Sequence, residues 1–423
     1  MSVFLNCRRL VVGVVVLWSA AGLSANEAFD PPALYLTWQR DPTSTMTVHW
    51  HTVEEAKPEL FVRPRGSAEK WRAVSGKSQA LPGSERTVHT AEISGLQPRT
   101  DYEFCFWPGE KAFYFRTAPR DLSQPLRFVT GGDVYHERGW MDTMNALAGK
   151  LDPAFVVIGG DLAYSCEKAS KPENMERWDH YFESWKKHAR TADGRLVPLV
   201  VTIGNHEVPG AYNQPPERAA VYYTLFSMPG PRGYNVLDFG NYLSLFLLDS
   251  GITHPVEGAQ TDWLRSALAQ RRQAPHLVPV YHIPAYPCVR SDQEGESAVI
   301  TQLIRKHWCP LFDEFGVKVA FENHDHAFKR TRPIRGNKPN PNGVVYLGDG
   351  AWGVNLRKPD RAHARWYLQR ADSIRHLYLV TLSPEARQIL AFDEQGRVFD
   401  EVYQRVTAAD SAAEPRAETP AGS

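Results

Sequence analysis

Phe155-Val156-Val157-Ile158-Gly159-Gly160-Asp161-Leu162-Ala163-Tyr164 is an apolar run, two glycines, an aspartate and, three residues on, a tyrosine. The run is rich in β-branched residues and suits a strand buried on both faces. The glycines permit a sharp turn and a close approach of the backbone. Asp161 then sits at the carboxyl end of a buried strand, where open α/β sheets place their ligands. Other stretches repeat the pattern. Residues 126–130 lead to Gly131-Gly132-Asp133, and residues 199–203 lead to Gly204-Asn205-His206-Glu207. Residues 277–281 end at His282, and residues 317–322 end at Asn323-His324-Asp325-His326. All these strands deliver Asp, Asn or His at the same end, which predicts convergence on one sheet edge. Oxygen and imidazole donors together suit hard or borderline divalent and trivalent metals.

The 423-residue chain is long enough for two domains and a tail. Its 48 Lys+Arg balance 48 Asp+Glu, so no global field argues for nucleic acid or an anionic membrane, and no nucleic-acid binding is expected. Residues 1–25 read as an export signal: Arg8-Arg9, a short apolar core over 10–18, then small residues to Ala25. That core is short for a spanning helix. The expected protein is therefore exported, periplasmic or secreted, without stable membrane insertion after cleavage. Export permits disulfides, and Cys105, Cys166, Cys288 and Cys309 allow three pairings. Cys288–Cys309 is favoured because the two bracket one segment of the second domain. Their wide spacing without C-x-x-C argues against a zinc site.

Short alternating runs at 34–38, 46–50, 59–62, 87–93, 102–106 and 112–115 predict an antiparallel β-sandwich over 30–118. His49, His51 and His89 read as strand-surface residues. Residues 116–125, with Pro119 and Pro125, read as a linker. From 125 to 405 strands alternate with helical stretches at 141–150, 175–189 and 261–272, and strands return at 344–347 and 377–382, as in α/β layers. Trp178, Tyr181, Phe182 and Trp185 at helical spacing read as core. Residues 406–423 are Ala/Glu/Pro/Thr-rich and read as a disordered tail.

Taken in order, Gly132-Asp133, Gly160-Asp161-Leu162-Ala163-Tyr164, Gly204-Asn205-His206-Glu207, His282 and His324-Asp325-His326 resemble the motifs of the purple acid phosphatases, metallophosphoesterases with a tyrosine-ligated metal. The resemblance extends to Leu247-Leu248-Asp249-Ser250, Gln260-Thr261-Asp262-Trp263-Leu264, His326-Ala327-Phe328-Lys329-Arg330 and Val345-Tyr346-Leu347-Gly348-Asp349-Gly350, and covers roughly 30–400. Residues 95–102 resemble the corner of fibronectin type III modules, where a tyrosine, here Tyr102, bonds back to nearby backbone. The implied fold is a fibronectin type III-like sandwich followed by an α/β metallophosphoesterase domain, itself a β-sandwich flanked by helices.

The resemblance implies two metal ions. Asp133, Tyr164 and His326 would hold the first, Asn205, His282 and His324 the second, and Asp161 would bridge them. A phenolate suits Fe(III) at the first site. The second donor set suits Fe(II), Zn(II) or Mn(II). His206 would contact the phosphoryl oxygens or the leaving group. The implied function is an exported phosphohydrolase acting on small phosphomonoesters by metal-activated hydroxide attack on phosphorus. Rival readings are a phosphodiesterase or nucleotide hydrolase on the same scaffold, and a catalytically degenerate surface-binding protein.

Three positions depart from the family pattern. Tyr135 stands where glycine is usual, and is expected to narrow the site or donate to bound phosphate. Asn323 replaces the glycine before the His-x-His pair. The substrate-contacting histidine pair is not evident in 285–297, where Arg290 is a charged candidate to stand in. Lys329, Arg330, Arg332 and Arg335 read as a solvated basic loop.

Overall fold

The short alternating strands of the first third pair into two four-stranded antiparallel sheets in the computed structural model, which describes residues 29–166, 171–228, 230, 232–359 and 365–406. The expected signal at 1–25, and the expected tail beyond Val406, lie outside the described residues. One sheet runs Leu34–Thr37, Met46–Thr52, Thr87–Ile93, Lys77–Ala80; the other runs Arg72–Ser75, Glu59–Pro64, Asp101–Cys105, Phe113–Arg116. Trp50, Phe104 and Phe115 fill the space between them, and Trp38 packs edge-on against Phe155 and Phe239 of the second half of the chain. The corner forms as expected: the Gln97 N–H donates to the Tyr102 hydroxyl at 2.9 Å.

His49, His51 and His89 are not surface residues. They are at most 1% exposed. The helix Met175–His188 covers the outer face that carries His49 and His51, whereas His89 lies on the inner face, stacked on Trp50 at 5.1 Å. Tyr35 stacks on His49 at 4.8 Å and on Phe182 of that helix at 4.3 Å, and its hydroxyl donates to the Leu225 carbonyl at 2.7 Å. Burial pushes the His49 and His51 imidazoles down to about 3. Thr37 and Thr90 hydroxyls bond His49, whereas neither nitrogen of His51 has a hydrogen-bond partner among the described residues.

The remainder forms two larger sheets, and the motif strands are divided between them rather than sharing one edge. Leu126–Gly131, Val156–Gly159 and Leu199–Thr202 run parallel at one side of a six-stranded sheet, completed by His376–Leu382, Ala386–Asp393 and Val398–Arg405. His276–Val280 and Val319–Phe321 are parallel neighbours inside a seven-stranded sheet. Phe128, Phe155, Val200, Val280, Phe321 and Leu347 share the core between the two sheets. Helices Arg138–Lys150, Met175–His188, Ala259–Gln270 and Glu296–His307 contribute Met141, Trp178, Leu264 and Ile304 to the outer apolar layers. The carboxyl ends of both parallel sets therefore open on one rim. Among the described residues no helix is long and apolar enough to cross a membrane.

The favoured Cys288–Cys309 disulfide is not formed. Cys105, Cys166, Cys288 and Cys309 are all free and buried. The Cys288 Sγ lies instead 3.9 Å from Asp349 Oδ2.

Two outcomes follow for stability. Tyr102→Phe removes one partly buried hydrogen bond and is expected to cost about 1 kcal/mol, read as a lower urea midpoint at unchanged slope. In the unfolded chain histidine titrates near 6.5, so folding holds His49 and His51 neutral where the unfolded state takes up protons. Their contribution is complete above about 6.5 and is lost progressively as the pH falls toward about 3. His51→Leu is expected to make the unfolding free energy less steep with pH in that window; an unchanged slope would refute it.

Candidate metal centre

Three of the five motif strands end in turns that place polar residues in the left-handed region, while Asn205 and His282 do not adopt it. Asp133, Asp161, Tyr164, His324 and His326 have φ of 58°, 52°, 54°, 87° and 59°. Non-glycine residues adopt that conformation at an energetic cost, and persist there when their surroundings over-determine it. Glu207 supplies much of the restraint here. Its buried carboxylate accepts the N–H groups of Asp161, Leu162 and Gly204, each at 2.8 Å, and so ties two motif turns together. Burial, then the adjacent Asp161 charge, pushes Glu207 up to about 8. Asp133 links the two sheets, since its Oδ2 accepts the His324 N–H at 2.9 Å.

The side chains meet in two groups. In the first, the Tyr164 hydroxyl donates to Asp133 Oδ1 at 2.8 Å, and His326 Nε2 lies 3.0 Å from both oxygens. In the second, His282 Nε2 lies 3.0 Å from Asn205 Oδ1, 3.1 Å from His324 Nδ1 and 3.2 Å from Asp161 Oδ2. The His282 Nδ1–H donates to the Gly159 carbonyl at 2.9 Å, so the Nε2 lone pair is the one turned inward. It meets an amide oxygen, a carboxylate oxygen and another imidazole nitrogen. Asp161 Oδ2 is buried without a hydrogen-bond donor among the described residues.

Such a set of buried lone pairs facing one another is repulsive unless a positive charge lies among them. The demand shows in His282: burial opposes its charge, but the Asp161 and Asp133 carboxylates outweigh burial and raise it to about 9. Asp161, His282 and His324 each offer a donor atom within 4.8 Å of the others. The donors fit metal cations, oxygen-rich with a phenol on one side and imidazole-rich on the other.

All seven residues expected to bind metal converge here. His206 joins them at the rim: its N–H donates to Asp161 Oδ1 at 2.8 Å, its Nδ1–H donates to the Cys166 carbonyl at 2.7 Å, and its ring lies 4.4 Å from that of Tyr164. Arg290 also reaches the site. Its guanidinium donates to the His324 carbonyl and pairs with Asp325 at 3.1 Å.

Tyr135 does not reach the site. Its hydroxyl lies 2.8 Å from His180 Nδ1, and the Arg177 guanidinium covers its ring at 4.1 Å. The next residue, His136, takes the place beside the cluster, with its ring 4.4 Å from Tyr164 and 5.3 Å from His326. Burial, then the His326 charge, pushes it down to about 4. The signal was available, because Asp133-x-x-His136 has the same offset as Asp161-x-x-Tyr164.

Asn323 is explained by the glycines. A Cβ on Gly159 would stand 1.8 Å from its Nδ2, and one on Gly132 would stand 2.4 Å from its Oδ1. The two glycine pairs thus make room for a side chain that crosses from the other sheet, and its Nδ2 donates to the Tyr281 carbonyl at 3.0 Å. Lys329 is not in a solvated loop. It is fully buried on the strand Phe328–Thr331, pairs with Glu322 and with Asp349 at 3.1 Å, and donates to the Tyr286 carbonyl at 2.6 Å. Arg330 pairs with Asp400 at 2.8 Å.

Residues 31–130 match the family described as purple acid phosphatase, N-terminal domain, and residues 127–328 match the calcineurin-like phosphoesterase family. Purple acid phosphatase 23 of Arabidopsis thaliana is 25% identical over 356 residues, which cover 76% of this chain and 73% of that protein. Among solved structures, purple acid phosphatase PPD1 from yellow lupin seeds has a TM-score of 0.74 at 17% identity, covering 92% of this chain and 77% of that one. PhoD has a TM-score of 0.62 at 14% identity, covering 91% and 94%.

The Glu207 tie predicts a measurable loss. Glu207→Ala leaves three buried N–H groups without acceptors and is expected to destabilise the protein by at least about 3 kcal/mol. Denaturant unfolding and elemental analysis check it, the purified variant carrying less metal than the parent.

Proposed function

Because this chain is a purple acid phosphatase-like metallophosphoesterase, and hence a metal-dependent phosphoric ester hydrolase, we propose that it is an exported binuclear enzyme that hydrolyses phosphomonoesters. The observation that carries this reading is the pair of buried acceptor clusters, with Asp161 Oδ2 receiving no hydrogen bond and lying 3.2 Å from His282 Nε2. In this reading Asp133, Tyr164 and His326 hold one cation, Asn205, His282 and His324 hold the other, and Asp161 is shared. The domain boundaries that go with it are 30–118 for the sandwich and 125–405 for the catalytic domain, following a signal at 1–25.

Two such cations supply Lewis acidity toward a phosphoryl group and acidify an attacking water. The chain's own groups do the rest. Burial, then the neighbouring Asp133 charge, keeps the Tyr164 phenol protonated far above its ordinary range. It yields that proton only to a strongly bound cation, which favours Fe(III) on that side. The imidazole-rich side suits Fe(II), Zn(II) or Mn(II). His206 has Nδ1 committed to the Cys166 carbonyl, which fixes the ring and leaves Nε2 for a phosphoryl oxygen or the leaving group. The complete donor set argues against a degenerate binding protein. Phosphodiester or nucleotide hydrolysis on the same scaffold is a second reading, favoured by the charged groups at the rim.

Elemental analysis with paired assays on p-nitrophenyl phosphate and bis-p-nitrophenyl phosphate tests this. Two metals per chain and a preference for the monoester are expected. Asp161→Asn is expected to lose metal and at least about a hundredfold in kcat, and full activity with two metals retained would overturn the site. Phenolate-to-iron charge transfer is expected to colour the protein, with Tyr164→Phe bleached and Tyr135→Phe still coloured.

A further inference from the structure

A cavity of 170 Å³ lies where the linker joins the two halves of the chain, with Pro119 and Pro125 in its wall. Arg127 and Ala154 line it, one near the start of Leu126–Gly131 and the other just before Val156–Gly159. The metal-facing residues sit past the opposite ends of those strands. At roughly 3.3 Å per residue from Arg127 to Asp133, the cavity is about 20 Å from the metal cluster. Four arginines share its wall: Arg99 and Arg116 from the sandwich, Arg127 and Arg195 from the second domain. Beside them the Leu196 N–H donates to the Tyr114 carbonyl at 2.9 Å, so the backbone holds the two pairs together across the seam.

Their charges are only partly balanced. Arg116 donates through Nε to Asp101 Oδ1 at 2.7 Å and through Nη2 to Oδ2 at 2.9 Å. Arg195, whose side chain is 4% exposed, donates through Nη2 to Asp152 Oδ1 at 2.6 Å. Asp152 is the carboxylate on the cavity wall, and its charge also acts on Arg116. Arg116 and Arg195 are thus paired, whereas Arg99 and Arg127 make no ion pair among the described residues. Asp121 and Asp193 do not line the cavity. Both are exposed and engaged within their own turns, by the Ser123 N–H and the Thr191 hydroxyl. Four guanidinium groups therefore stand against two engaged carboxylates, and the surplus charge comes from both sides of the seam. Planar guanidinium forks gathered in this way match the oxygens of a tetrahedral anion, which relieves their repulsion.

We propose that this cavity is a binding site for a phosphate-class oxyanion, either inorganic phosphate or the phosphoryl end of a small ester, which bridges Arg99 of the sandwich and Arg127 of the second domain and clamps the two halves together. The site is separate from the metal centre and independent of the chemistry proposed there. Its occupation acts on how firmly the sandwich docks, because the anion bonds to both sides of the seam at once. Arg116 and Arg195, held by their aspartates, keep the cavity open and positively charged without closing on it themselves.

Equilibrium dialysis of the full chain as purified against radiolabelled inorganic phosphate, at constant ionic strength, counts the sites. The parent is expected to bind one phosphate more per chain than the double variant Arg99→Gln/Arg127→Gln. Phosphate is also expected to raise the thermal unfolding midpoint of the parent more than that of the variant, while kcat and KM for p-nitrophenyl phosphate stay the same in both. Arg99→Gln alone changes an exposed side chain and keeps the test open if the double variant does not fold; it is expected to weaken the additional phosphate at least about tenfold. Arg120→Gln, exposed and outside the cavity, is the control and is expected to keep that phosphate. Equal stoichiometry and equal stabilisation in parent and variants overturn the proposal. Loss of the additional phosphate in Arg120→Gln as well would mark a diffuse basic surface and overturn it too. Methylphosphonate separates the two sources: its displacing the additional phosphate assigns the site to phosphoryl groups carried on carbon compounds, and its failing to do so assigns it to free phosphate.

Discussion

The constraint on which the structure turns is a repulsion. Asp133, Asp161, Asn205 and three imidazoles direct lone pairs at one another inside the protein, where water cannot separate them. They attract only when a positive charge lies among them, a proton on His282 or a metal cation, so the backbone must hold the arrangement. The left-handed turns aim the side chains, Glu207 gathers the N–H groups of two turns, and Asp133 reaches across to the backbone of the opposite sheet. The parallel strands on both sheets end on the same rim for this reason, and the interior behind it is packed to resist relaxation.

The wall behind the site is electrostatic as well as apolar. Lys329, Glu322, Asp349 and Asp325 are all buried; Lys329 pairs with Glu322 and Asp349, while Asp325 pairs with Arg290 and accepts backbone N–H groups. Such a cluster adds little net stability over a well-packed apolar one, but removing a single member strands a charge. Its effect here is positional. Glu322 accepts the Ala285 N–H at 2.7 Å and the Tyr281 hydroxyl at 2.6 Å, so the segments around His282 and around His324 are fixed to the same carboxylate.

The ends of the motif strands were legible because each is local: an apolar run and a polar residue in sequence order, with glycine between them in three of the five. Their distribution over two sheets was not, because pairing joins Leu126–Gly131 to His376–Leu382, far along the chain. The burial of His49 and His51 depends on a helix more than a hundred residues away, and nothing in Met46–Thr52 announces that partner. Lys329 misled for a related reason, since a charge in a basic stretch reads as solvated unless its buried partners at 322 and 349 are known. Tyr135 and His136 differ by one position. In a turn that follows a strand, one residue decides which side chain enters the site and which joins the helix layer. The hairpin Ala386–Asp393 with Val398–Arg405 was missed because its outer strand is largely exposed and carries no continuous apolar face.

The contact of Tyr35 with Phe182 bears on how such a chain can be recombined. From that contact, Trp178 stands one turn along the helix and donates through its indole to Glu173 at 2.8 Å; Glu173 also accepts the Ser165 hydroxyl at 2.7 Å, beside Tyr164. The sandwich is thus the first layer of support for the loop that carries the phenol. The natural seam for exchanging halves between relatives is not the proline-marked linker, where the chain is easiest to cut. It runs along the aromatic face shared by Leu34–Thr37 and Met175–His188, and a transplanted sandwich must bring a matching helix face with it.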